Sequence, residues 1–121
     1  MPTVTIGERL FRIRAVARGE GWQAHAVRAE SGHRFGVDVT AATEAEAVAA
    51  VERWLAWQHD HAAALDDLQQ AERAYHRVLT AHAFGGARRA EASVAKRHAL
   101  EQMESARSRL DETRQRQPGQ K

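Results

Sequence analysis

Residues 54–68 read WLAWQHDHAAALDDL, and they concentrate the side chains whose types suggest chemistry. His59, Asp60 and His61 carry the donor atoms of a metal triplet. Asp66 and Asp67 are adjacent carboxylates, the raw material of general acid–base catalysis. Spacing argues against both. On a strand, residues two apart share a face, but on a helix they point about 200° apart, so His59 and His61 cannot hold one ion there. Metal-binding helices place two histidines four apart, and four beyond His59 and His61 stand Ala63 and Leu65. His25, His33, His76, His82 and His98 show no ligand spacing either. On a helix, Asp66 and Asp67 diverge and flank an apolar stripe without forming a pair. No metal, no cofactor and no catalytic residue is expected, and the histidines are read as solvated or capping.

Further chemistry is excluded by what the chain lacks. It has no cysteine, hence no disulfide, thiolate ligand or thiol nucleophile. No G-x-S-x-G, Walker loop or dinucleotide fingerprint occurs, and Gly85-Gly86 precedes a helical stretch without the strand and lysine of a phosphate loop.

The elements that position these side chains follow from breakers and periodicity. Thr43-Glu44-Ala45-Glu46 fits a capping box, and from there to Phe84 there is neither Gly nor Pro. The run is rich in strong helix formers, so one helix is expected over 44–83, about 60 Å long at 1.5 Å per residue. Residues 54–68 therefore lie in the middle of a long helix.

Before it, residues 10–18, 22–30 and 33–40 alternate as strands. Two-residue turns are expected at Gly19-Glu20, in the Gly-x pattern of type II′, and at Ser31-Gly32. These registers pair Ala17 with Trp22, Ile13 with Ala26, Ala26 with Val37 and Ala24 with Val39. They put Phe11, Ile13, Trp22, Ala24, Ala26, Phe35, Val37 and Val39 on one inner face. Thr3 to Ile6 is read as a further short strand. A sheet apolar on one face needs a cover, which Val48, Val51, Trp54 and Leu55 supply from the first half of the helix.

The second half, expected to extend past the sheet, carries a stripe of His61, Ala64, Leu65, Leu68, Ala71, Tyr75, Val78, Leu79 and His82. Residues 88–115 carry another, Ala92, Ala99, Met103, Ala106, Leu110 and Thr113. Folding back at Gly85-Gly86 aligns Leu68 with Met103, Leu65 with Ala106, Leu79 with Ala92 and His61 with Leu110. Residues 44–84 carry three basic against seven acidic side chains, and residues 85–121 carry nine against five, so the two arms complement one another as an antiparallel coiled coil would. The expected architecture is α+β: a small antiparallel β-meander of three or four strands, covered by the start of a long helix that continues into a two-helix coiled-coil hairpin. Its parts are 1–58 (sheet and covering helix), 59–116 (hairpin, turn at 84–87) and a disordered tail at 117–121.

Function is read from surfaces. Trp54, Trp57 and Tyr75 are candidate anchors for a protein partner, because exposed aromatics are common hot spots. The competing reading makes Trp54 a sheet cover and Trp57 the seal of a joint with the terminal helix near Thr113. On the outer sheet face, Arg12, Arg14, Arg18 and Arg34 gather beside His25 as a candidate phosphate-binding patch. The inward placement of Phe11, Trp22 and Phe35 removes the stacking platform that single-strand readers use. The leading expectation is a small non-enzymatic bacterial protein acting in protein–protein contact or self-association, such as a homodimer; nucleic-acid binding is the alternative. With no signal segment and no apolar run of about 20 residues, a cytoplasmic location without a membrane partner is expected.

The sheet followed by TEAEAVAAVERWL resembles the start of several small bacterial domains, including antitoxins of the HicB type. The resemblance covers only the sheet and the first turns of the helix, and the chain lacks that family's usual DNA-binding tail.

Overall fold

The computed structural model describes residues 2–84 and 89–118. Its elements are β1 (Thr3–Ile6), β2 (Arg9–Arg18), β3 (Gly21–Arg28), β4 (Arg34–Ala41), α1 (Glu44–Phe84) and α2 (Arg89–Gln115). The strands form one antiparallel sheet in the order β1-β2-β3-β4, giving an α+β fold with four strands before two helices.

The β2–β3 hairpin closes as the sequence indicates. Arg18 pairs with Gly21, Ala17 with Trp22 and Ile13 with Ala26. Gly19 has φ 61°, while no non-glycine residue among those described has a positive φ, and that combination is a type II′ turn.

The β3–β4 hairpin differs. Ala24 pairs with Val39 as expected, but Ala26 faces Phe35 instead of Val37, and an irregularity lies between Ala24 and Ala26. The connection is correspondingly longer than Ser31-Gly32. The Arg28 amide donates to the His33 carbonyl at 2.9 Å and the Gly32 amide to the Arg28 carbonyl at 2.7 Å, leaving residues 29–32 as the loop. Pairing near the tip is thus displaced by two residues. A shift of two preserves side-chain parity, so Phe35 still faces inward. The aromatic packing accounts for the displacement: the Phe35 ring lies 5.2 Å from that of Phe11 and 5.9 Å, edge-on, from that of Trp54. An uninterrupted register would carry Phe35 two residues toward the tip, roughly 7 Å.

Gly36 absorbs the extra chain at φ 91°, and a Cβ there would sit 2.5 Å from the Trp54 ring. Val37, expected on the inner face, is instead 56 % exposed. The bulge takes it out of the ladder position opposite Ala26.

The remaining inner-face residues build the core. Phe11, Ile13, Ala24 and Ala26 are buried against Ala47, Val51 and Leu55 of α1, with Trp22, Phe35, Val39, Val48 and Trp54 packed around them. Fully burying a side chain the size of Ile13 or Leu55 contributes roughly 1.5–3 kcal/mol each. α1 starts where its cap dictates: the Glu46 amide donates to Thr43 Oγ1 at 3.2 Å and the Ala47 amide to the Thr43 carbonyl at 3.0 Å.

The chain divides into two compact units, Met1–His59 with Gln117–Lys121, and Asp60–Arg116. α1 runs unbroken through the boundary at residues 59 and 60. The second unit is a helical hairpin made from the rest of α1 and from α2. Ala64 is buried and Leu65, Leu68, Ala71, Tyr75, Val78 and Leu79 are half-buried along one arm. On α2, Ala92, Ala99, Ala106, Leu110 and Thr113 are buried with Met103 half-buried. From Ala99 onward these positions advance by four and three in alternation, the spacing of a coiled-coil seam. Gly85, Gly86 and position 87 of the expected turn lie outside the described residues, as do positions 119–121 of the expected tail and the His82 side chain.

Candidate functional site

The outer sheet face is built by alternation on β2. Phe11 and Ile13 are buried, so Leu10, Arg12, Arg14, Val16 and Arg18 point the other way, and all five are exposed. The register sets their neighbours. Arg12 lies between Thr3 of β1 and Val27 of β3, and Val27 lies between Arg12 and Arg34. Arg14 pairs with His25 and Val16 with Gln23. Val27 is buried although it faces outward, which fits the aliphatic stems of its two arginine neighbours lying along it.

The four arginines expected on this face are there, but they are not equivalent. Arg34 is ion-paired with Asp38, whose carboxylate also lies 3.8 Å from His25 Nδ1. The Arg34 hydrogen bond holds the Asp38 carboxyl below the usual carboxylate range. The positive charge of Arg34, the nearby His25 and a hydrogen bond from Gln23 act in the same direction, against a smaller upward push from desolvation. Arg18 donates to Gln23 Oε1 at 2.7 Å. Among the described residues, no carboxylate lies within ion-pairing distance of Arg12 or Arg14. Asp38 has the parity of Arg34 on the same strand, and that alternation is the signal in the sequence for its place on this face. Leu10 and Val16, 46 % and 53 % exposed, belong to the face by the same parity.

The central stretch of α1 proves to be divided between roles. Trp54 is half-buried in the sheet core beside Phe35 and Gly36, so it serves as a cover. Trp57 is half-buried in the same unit, and Tyr75 is half-buried in the other. His59 is exposed and lies against the β1–β2 turn, where a Cβ on Gly7 would come within 2.8 Å of its Cε1. His61 is half-buried. Asp66 and Asp67 are exposed, and Asp66 Oδ2 accepts from Gln70 Nε2 one turn on, at 2.7 Å. Among the described residues, no three His, Asp or Glu side chains group as a metal ion requires, and no described helix is long and apolar enough to cross a membrane.

A further surface was not anticipated. Val94 of α2 is 67 % exposed, and with Ala90, Glu91, Ala95 and His98 it lines a shallow, open and largely apolar depression. At 100° per residue Val94 lies about 200° round the helix from buried Ala92. The available signal was a valine outside the stripe.

The chain matches no protein-family model, no curated protein and no solved structure. The resemblance to HicB-type antitoxins thus rests on the order of sheet and helix, and it transfers no functional residue.

Proposed function

We propose that the protein is a non-enzymatic interaction module that self-associates through α2, with a second copy of the chain as the occupant of the Val94 face. The observation that carries this reading is Val94, two-thirds exposed on the side of α2 turned away from the buried stripe. Covering Val94 together with Ala90 and Ala95 would remove hydrocarbon from water without stranding a polar group, which suits a protein contact.

The flanks suit a copy of the same surface. Glu91 and His98 line the depression seven residues apart, which places them within about 20° of one another around the helix. A two-fold antiparallel pairing of α2 with α2 of a second copy sets Glu91 of each against His98 of the other, with Val94 in the middle. An isologous interface requires such self-complementarity.

Light scattering over a concentration series tests the proposal, using the intact chain and Val94→Glu. The wild type should move from monomer to dimer mass as concentration rises, and Val94→Glu should stay monomeric with an unchanged helical circular dichroism spectrum. A wild type that is monomeric throughout, or a variant that dimerises equally well, refutes it.

A further inference from the structure

We infer that the outer face of the sheet is a second, independent binding surface, one that grips the phosphodiester backbone of double-stranded nucleic acid without reading its sequence. Arg12, Arg14 and Arg18 carry the surface, whereas Arg34 is neutralised by Asp38 and does not.

Spacing is the first reason. Alternate residues on a strand recur at about 6.6–6.8 Å, so β2 sets Arg12 and Arg14 one such step apart and Arg18 two steps further on, past Val16, along one line. A phosphodiester backbone is an evenly spaced row of anions, and acidic side chains on a folded protein are not. Each guanidinium offers a planar fork of donors that matches a phosphate.

The surroundings are the second reason. Thr3 and Thr5 on β1 and Gln23 on β3 lie beside the row in register, and hydroxyl and amide side chains are the usual uncharged partners of phosphate oxygens. The segregation of charge within this unit is the third. Among the described residues Asp38 is the one carboxylate on a strand; Glu8, Glu20 and Glu30 lie in the turns at the sheet ends, with Glu30 beside Leu10, while Glu44, Glu46 and Glu52 belong to α1, which covers the opposite face.

The form of nucleic acid follows from what the face lacks. Phe11, Trp22 and Phe35 all pack into the core, and the His25 ring is held beside Asp38, so no Phe, Tyr or Trp of the sheet is offered on this face to an unpaired base. Backbone contact is what remains, and duplex supplies it at the highest charge density. Leu10 and Val16 are the features that an acidic, partly apolar peptide would favour instead, so the experiment must separate the two.

Fluorescence anisotropy of a labelled mixed-sequence DNA duplex, with the full chain, makes that separation. Neutralising three phosphates predicts a slope near −2.7 in log affinity against log salt, a fall of about 40-fold between roughly 50 and 200 mM. Arg12→Glu with Arg14→Glu should lose binding at least tenfold at low salt, while Arg12→Lys with Arg14→Lys should keep most of it. Arg107→Glu on α2 should leave it unchanged, with thermal melts showing that all variants fold. No binding at low salt, equal binding by the Arg12→Glu/Arg14→Glu variant, loss of binding in Arg107→Glu, or preference for polyglutamate over duplex would each overturn the inference.

Discussion

Replacing Gly36 with alanine tests the account of the β3–β4 hairpin most severely. At φ 91° the position already disfavours any L side chain, and the new Cβ would meet Trp54 at 2.5 Å from Cζ3 and 2.7 Å from Cη2. Trp54 has little room to yield, because its ring packs against Phe35. The backbone penalty is about 1–2 kcal/mol and overpacking adds about 1–3 kcal/mol, so the loss should be about 2–5 kcal/mol. Gly19→Ala is the matched control. Its φ is 61° but nothing lies within 4 Å of the new Cβ, so only the backbone penalty applies, about 1–2 kcal/mol. All three tryptophans, Trp22, Trp54 and Trp57, lie in the Met1–His59 unit, so their fluorescence follows its unfolding in urea. The steric difference should also appear as a gap of at least about 4 °C in melting temperature between the two variants. If Gly36→Ala loses no more than Gly19→Ala, the close approach of Trp54 does not constrain the strand and the reasoning fails.

Two further outcomes follow from single contacts. Thr43→Ala removes the side-chain acceptor for the Glu46 amide and should cost about 1 kcal/mol, with Thr43→Ser restoring most of it, as read by urea unfolding. Asp38 should make stability depend on pH in a definite direction. Its carboxyl is held below the ordinary value in the folded chain, so the contribution is fully present above the unfolded pKa of about 3.9 and is lost as pH falls through the lower folded value. The gap in urea midpoint between wild type and Asp38→Asn should therefore be constant near neutrality and close below about pH 4; a gap that widens in acid would contradict the assignment.

How legible the fold was depended on how local the deciding physics is. The α1 start was readable because Thr43 and Glu46 form a cap within four residues, and α1 itself because nothing interrupts helix formers up to Phe84. The Gly19-Glu20 turn was readable because a two-residue hairpin leaves few alternatives. The β3–β4 register was not, since it is decided by where the Phe35 ring meets Phe11 and by Trp54, which lies far along the chain. The surfaces divide in the same way. Strand parity placed Arg12, Arg14, Arg18 and Arg34 together, but Asp38 went unremarked and with it the pairing that removes Arg34 from the cationic row. The sequence favours Trp54 as a sheet cover over a partner anchor, and its packing beside Phe35 and Gly36 decides the matter.

At the Gly36 bulge the hairpin tip closes through the loop of residues 29–32 with the aromatic trio in contact. A ladder continued straight through to Ser31-Gly32 would instead draw Val37 inward opposite Ala26. Neither inverts the face of a core side chain, so switching between them costs ring contacts at Phe35 and not the hydrophobic pattern. Substitutions that weaken the aromatic trio, such as Trp54→Leu, should for that reason re-zip the tip rather than unfold the sheet. Amide exchange would then slow at Val37 and quicken nowhere else on β4.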